Sequence, residues 1–397
     1  MKKILALVLV LALCLTAAVS LADPIAKENI KLGVITLHGE NSTYDANFIN
    51  AVKEACAELG LEEGTNYVIV SDIEEADICR ETALDLVDEG CNIIFADSFG
   101  HEDFIIEAAK EHPEVEFCHA TGTKAHTENL ANFHNAFAAI YEGRYLAGVA
   151  AGMKLEEIKA AGGLKGEVPM IGYVGAFPYA EVKSGYTSFY LGARSVCPDV
   201  IMKVQFTGSW YDETGEKTAA EALIALGADL ISQHADSMGA PKACEAAGIP
   251  DVSYNGSTVD LCPNTFIVAS KINWVPYFKY IIEKRIAGEA IDTDWTGTIA
   301  TGSVELTDVN EKAAAAGTVE KIAEVKAQFE AGTLHVYDTA TWTKGGAVME
   351  SYLADVDTDA AFTPDTEAIV DGYFAESTLR SAPYFDIDID GIEIVND

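Results

Sequence analysis

Positive charge is what the 397-residue chain has least of: 26 Lys and Arg stand against 63 Asp and Glu, for a formal net charge of −37. Such a surface repels nucleic-acid phosphates and anionic lipid, and no basic patch offsets it, so nucleic acid is not an expected partner. A CxxC pair is also missing. After the N-terminal segment the cysteines are Cys56, Cys79, Cys91, Cys118, Cys197, Cys244 and Cys262. That odd set fits neither a full disulfide framework nor a zinc site. Apolar neighbours, as in "CNIIF" and "EFCHA", point instead to free thiols packed as small hydrophobes. No GxSxG, HExxH or GxxxxGK[ST] occurs, so the sequence offers no support for a hydrolase triad, a metalloprotease or a P-loop. No cofactor and no metal are expected. His119, His126 and His134 match no ligand spacing and are expected in solvent-exposed loops. "DIDIDG" (Asp386 to Gly391) matches the start of a calcium loop, but its twelfth position is Asp397, the last residue, with no helix after it. Its alternation equally describes an edge strand with one wet face.

No run beyond the N-terminus reaches the ~18 apolar residues of a membrane span. The N-terminus itself has basic Lys2 and Lys3, an apolar core from Ile4 to about Leu15, and Ser20-Leu21-Ala22 as a small-x-small cleavage site. Residues 1–22 are therefore expected to be a signal peptide, and the product is expected to be exported to the periplasm or the outer face of the plasma membrane. Lipidation at Cys14 is the rival reading. Leu13 stands where a small residue is wanted, and apolar chain follows Cys14 where a polar tether would be needed.

What is present is an alternation of strand-like and helix-like runs, and it occurs twice. "IKLGVITL", "NYVIVSD", "CNIIFADS" and "VEFCHATG" read as strands separated by amphipathic helices; "VPMIGYVGA", "VIMKVQFTGS", "ADLISQHADS" and "IPDVSYNG" repeat the plan. Near-continuous apolar strands between such helices mean a parallel sheet covered on both faces. Right-handed crossovers then give doubly wound α/β domains. "ADSFG" at 96–100 and "ADSMG" at 235–239 are equivalent strand-end turns. Gly33 and Gly172 each lie 63 residues before the Ala that opens its turn. The expected organisation is domain one over 28–150, completed by about 266–300, domain two over 160–265, completed by later segments, and a C-terminal extension over 338–397. The run 135–155, rich in Ala and Gly, is expected to form one long helix packed closely against a sheet near the crossover.

In such folds ligands bind beyond the carboxyl ends of the strands, and aromatic and small polar residues gather there. Tyr44 follows the first strand of domain one and Trp210 the second strand of domain two; Phe99 and Phe177 sit in equivalent turns. Two aromatic lips can hold a flat ligand by stacking. Asn41, Asp45, Ser98, Asp236, Ser237 and Asn255 are placed to hydrogen-bond its edges.

These stretches carry a family resemblance. "NSTYDANFINAVKEA", "FADSFGHEDFIIEAAKEHPEVEFCHATG", "YEGRYLAGVAAGM", "GSWYDETGEKTAAEALIALGADLISQH" and "NWVPYF" resemble the basic membrane protein (BMP) family of ABC-transporter substrate-binding proteins, whose best-known members are purine nucleoside receptors. The resemblance implies a type I periplasmic-binding fold with two doubly wound parallel-sheet domains joined by crossover strands. It also implies a purine ligand sandwiched by Tyr44 and Trp210, no catalysis, and ABC permease and ATPase subunits as partners. Asp45 falls where the family has a base-contacting Asn, and Leu37, next to His38, where it has an Asp that holds the base. Asn255 replaces the Asp that grips ribose, and Ile272, with Lys271 beside it, replaces the ribose-binding Lys. A free nucleobase therefore fits at least as well as a nucleoside. Two other readings stand beside this one: a secreted nucleoside-processing enzyme using Asp45 or Asp236, and a sensor that presents its ligand to a signalling partner.

Overall fold

A computed structural model describes residues 24–356, 361 and 363–395. The expected signal peptide, with Cys14, lies outside the described residues, as does Asp397. The first half of the chain forms β1 (Leu32–Ile35), β2 (Tyr67–Val70), β3 (Ile93–Ala96), β4 (Glu116–Ala120) and β5 (Phe133–Ala138). The second half forms β6 (Met170–Gly175), β7 (Ile201–Phe206), β8 (Leu230–His234), β9 (Asp251–Tyr254) and β10 (Phe266–Ile272). Then come β11 (Asp294–Gly297), β12 (Val304–Leu306), four two-residue strands β13 to β16 between Leu353 and Phe374, and β17 (Ile392–Ile394).

Two sheets result, with orders β11-β5-β4-β3-β1-β2 and β12-β10-β9-β8-β6-β7-β17. Within each, the first five strands follow the same 2-1-3-4-5 order, so the repeated plan of the sequence is a repeated topology. The first sheet is parallel throughout, and in the second only β12 runs against its neighbour. Strands such as β1, β3 and β6 are buried at every position because helices cover both faces. All seven described cysteines are buried and free, as their apolar neighbours suggested.

Three expectations change. Residues 133–138 form β5, and the helix runs over Ile140–Ala160; a short, mostly apolar run that leads straight into an apolar helix does not reveal its period, so strand and helix could not be told apart. The strand 266–272 joins the second sheet, not the first; domain one is completed by the helix Val275–Ala287, whose Phe278 meets Phe95, and by β11. His119 and His134 are buried strand residues, 0% and 3% exposed, not loop residues.

The chain passes between the domains at 138–140, 272–275 and 297–304. Trp274, in the second passage, is buried and stacks on Phe48 with ring centroids 4.5 Å apart. The C-terminal segment makes a further link. The Ser381 amide donates to Asp294 of domain one (3.0 Å), Lys183 of domain two pairs with Asp386 (2.7 Å) and Asp388 (3.0 Å), and β17 extends the second sheet beside β7. The "DIDIDG" carboxylates thus serve two places: Asp390 accepts from Thr343 and from the Gly345 and Gly346 amides, while Ile387 and Ile389 are buried. This is the alternating one-face pattern.

The helix Ile140–Ala160 packs chiefly on the helix Ala180–Val196, with its first turns against β10 and β12. Glycine makes the approach possible: a Cβ on Gly148 would collide with the Phe189 carbonyl oxygen, and one on Gly192 with that of Tyr145. Overpacking of this kind costs about 1–3 kcal/mol and more where backbone must move. Gly148→Ala and Gly192→Ala should each lower the unfolding free energy in urea by at least that amount; unchanged midpoints would contradict the backbone-to-backbone contact.

Candidate functional site

The strands of each sheet end nearly flush. Ile35 of β1 pairs in register with Ala96 of β3, and Gly175 of β6 with His234 of β8. The turns that follow therefore face one another across the domain boundary. They enclose a cavity lined by Leu37, His38, Tyr44, Asp45, Ser98, Phe99 and Thr121 from domain one, and Glu181, Trp210, His234, Asp236 and Tyr254 from domain two.

Six of the eleven residues expected in a site meet there: Tyr44, Asp45, Ser98, Phe99, Trp210 and Asp236. Tyr44 is braced edge-on by Phe48 (4.9 Å) and anchored by its hydroxyl to the Asp97 carbonyl (2.7 Å). Trp210 is braced by Phe177, whose ring centroid lies 5.0 Å away. Phe177 itself lies behind the wall, stacked on Tyr179. Asn41 is exposed beside the turn. Ser237 is buried, its hydroxyl accepting the Gly239 amide at the start of the next helix. Asn255 occupies a left-handed turn (φ 64°), which Asn tolerates, and accepts from Asn47 of the opposite domain (3.3 Å). Lys271 is paired with Glu305, its register partner on β12, at 2.7 Å, outside the cavity. Asn41, Phe177, Ser237, Asn255 and Lys271 therefore do not line it.

The two repeated turns are held by the same device. In domain two the Ser237 amide donates to both carboxylate oxygens of Glu216 (3.2 Å each), and the Asp212 amide to one of them. In domain one Glu75 accepts from the Ser98 hydroxyl (2.6 Å) and the Gly100 amide (2.7 Å). Asp45 is ordered by the Ser42 hydroxyl (2.5 Å) and the His38 amide (2.8 Å). The domains touch around the cavity. The Thr43 amide donates to the Asp236 carbonyl (3.2 Å), His38 faces Tyr211 (5.3 Å) and Phe99 faces Tyr179 (5.3 Å).

The electrostatics are those of a buried acidic chamber. Burial pushes Asp236 well above the usual carboxylate range, with Asp45, Glu216 and Glu181 adding to it and Arg144 opposing. Asp97, just behind the wall, is raised by burial and then by Asp45. Burial, then Arg144, lowers His234 to about 4, so it is a neutral ring whose Nε2 lies 3.3 Å from Glu181. Arg144, in the "EGRYLAG" stretch, is 1% exposed, donates to the Gln233 carbonyl (2.9 Å) and lies over the outer face of Tyr254, 3.3 Å from the ring centroid.

The residues missed by sequence reasoning are Thr121, Glu181, His234 and Tyr254, with Leu37 and His38 noted only as departures from the family pattern. Thr121, His234 and Tyr254 sit at or just past the ends of β4, β8 and β9, so the strand-end rule reaches them once every strand is followed. Glu181, in the first turn of a helix, carried no such signal. An adjoining hollow shares Phe99, Thr121 and Glu181 with the cavity, and Arg380, Ala382 and Pro383 of the C-terminal segment close its outer side.

Residues 32–338 match the family model described as Bmp, ABC transporter substrate-binding protein PnrA-like. A purine-binding protein of Brucella abortus is 31% identical over 355 residues, 84% of this chain and 94% of that protein. A putative ABC transporter glucose-binding protein of Haloferax volcanii is 33% identical over 52% of this chain and 49% of its own length. Among solved structures, an ABC transporter solute-binding protein from Aeropyrum pernix K1 superimposes with a TM-score of 0.63 at 17% identity, covering 77% of this chain and 92% of that one. That likeness concerns the fold: the type I arrangement of solute-binding proteins.

Glu216 offers a test of the turn. Burial raises its carboxyl from 4.5 to about 7, against the bonds from Ser237 and Asp212. Between those values the folded protein holds more protons than the unfolded chain, so this group's contribution to stability falls as pH rises. Glu216→Gln should remove that dependence, losing less stability than the parent on going from about pH 5 to about pH 7 in urea titrations. Equal losses in the two proteins would place Glu216 outside the pH response.

Proposed function

The chain belongs to the Bmp family of ABC transporter substrate-binding proteins, and on that footing we propose that it is an exported receptor that closes over a purine base and passes it to an ABC permease driven by its ATPase. Among the described residues no helix is long and apolar enough to cross a membrane. Tyr44 and Trp210 enter the cavity from opposite domains and act as the two faces of a sandwich. The name of the Brucella relative supports a purine.

One observation favours the base over the nucleoside. Of the two positions where the family pattern places its ribose grip, Asn255 is engaged with Asn47 and the other is the buried Ile272, whose neighbour Lys271 is engaged with Glu305. A ribose would bring hydroxyls into the site without those charged partners, at a cost of about 1–3 kcal/mol for each one left unpaired. Calorimetric titration of adenine, guanine, adenosine and guanosine should find each base bound at least as tightly as its nucleoside, with glucose failing to compete. A tenfold or greater preference for the nucleosides would contradict this.

Losing a base–aromatic stack costs ~1–3 kcal/mol. Trp210→Ala and Tyr44→Ala should each weaken base binding by that much while the protein stays folded by circular dichroism. Unchanged affinity in either variant would remove that residue from the sandwich.

A further inference from the structure

We propose that the cavity selects a planar heterocycle that offers N–H donors on two edges and carries no negative charge, so that aminopurines bind and anionic oxopurines are rejected. The inference rests on the base-binding reading and specifies which bases.

It follows from an inventory of what the walls can still give and accept. Three hydroxyl groups in the lining have already spent their protons. Tyr44 donates to the Asp97 carbonyl (2.7 Å), Ser98 to Glu75 (2.6 Å) and Thr121 to the Ala120 carbonyl (2.6 Å). Ser98 and Thr121 therefore turn lone pairs, not protons, towards a ligand. Carboxylates at Asp45, Glu181 and Asp236 add further acceptors. Asp236 is the decisive group. It is 6% exposed and lines the cavity, its backbone carbonyl receives Thr43 of the opposite domain, and among the described residues no donor is bonded to its carboxyl group. A buried acceptor without a partner is costly, and a ligand N–H removes that cost.

The donors that remain on the walls are few: the Tyr254 hydroxyl, which is buried and unpartnered, ring N–H groups of Trp210, His38 and His234, and one O–H on Asp236 while its carboxyl is protonated. Among the described residues no Lys or Arg lines the space. The nearby cations stand outside the lining: Arg144 lies on the Tyr254 ring and offsets only part of the acidic field at Asp236, and Arg380 belongs to the adjoining hollow. An anion entering here would meet three carboxyl groups and no cation within the lining, and like charges in a desolvated site disfavour the charged form. Exocyclic amino groups and ring N–H groups meet the opposite situation. Asp236, whose carboxyl group keeps an acceptor oxygen in either protonation state, accepts from one edge of the base, while Ser98 and Thr121 accept from another.

The test is a ligand series on the intact protein at mildly alkaline pH, where xanthine and urate are anions. Calorimetry should rank 2,6-diaminopurine at least equal to adenine, and xanthine and urate weaker than adenine by about a hundredfold or more, a floor below the ~10⁴–10⁵ by which a hydrogen-bonding site can reject a mismatched analogue. Asp236→Asn, which replaces one acceptor oxygen by a donor, should weaken adenine at least about tenfold and narrow the gap to urate. Xanthine or urate binding within tenfold of adenine to the unaltered protein would overturn the inference while leaving a purine receptor in place. Failure of every purine to bind would overturn the base-binding reading as well.

Discussion

The Glu216 carboxylate, held against the Ser237 amide at the end of β8, fixes the turn that carries Asp236 to the domain boundary. Glu75 does the same for the Ser98–Gly100 turn at the end of β3. Without such clamps a strand-end turn presents several amides and no single shape. With them, each domain delivers a fixed rim of carbonyls, carboxylates and rings to the cleft. Because β1 and β3, and likewise β6 and β8, end together, the two rims meet face to face. The cavity is a consequence of register as much as of the residues that line it.

The same geometry explains how the domains come to rest. Thr43 opens the helix that follows β1 and is capped by Ser42, which also orders Asp45. Its amide meets the backbone of Asp236, so the helix start, the acidic rim and the interdomain contact are one connected set of bonds. Asn255, placed by family pattern at the ribose, belongs to this set through Asn47. The C-terminal segment adds a link from Asp294 to Lys183, and most of it lies beyond the 32–338 span shared with the family. It builds part of the wall beside the cavity mouth, a feature of this chain that the shared span does not contain.

Much of the fold was legible because its signals are local. Apolar strands bounded by helices gave the α/β class, and the duplicated "ADS" turns gave the two halves. β5 was missed because "FHNAFA" is apolar at too many positions to show a period. The site was half legible. Tyr44, Trp210 and Asp236 announced themselves as aromatic or acidic residues among polar neighbours. Glu181 and Tyr254 did not, since their placement depends on the pairing of distant strands. Lys271 was misplaced for a related reason: its side of the strand is decided by pairing with β12, which puts it opposite Glu305. Buried His119 and His134 show the same limit, their surroundings being set by neighbouring strands and not by spacing along the chain.

The central claim is that this cleft holds a purine base. Mass spectrometry of the small molecule that accompanies the protein through gentle purification addresses it without any choice of candidate ligand. The account predicts an amino-bearing purine base in a one-to-one ratio with the protein, absent from the Trp210→Ala variant. A monosaccharide or an intact nucleoside recovered in that ratio would contradict it.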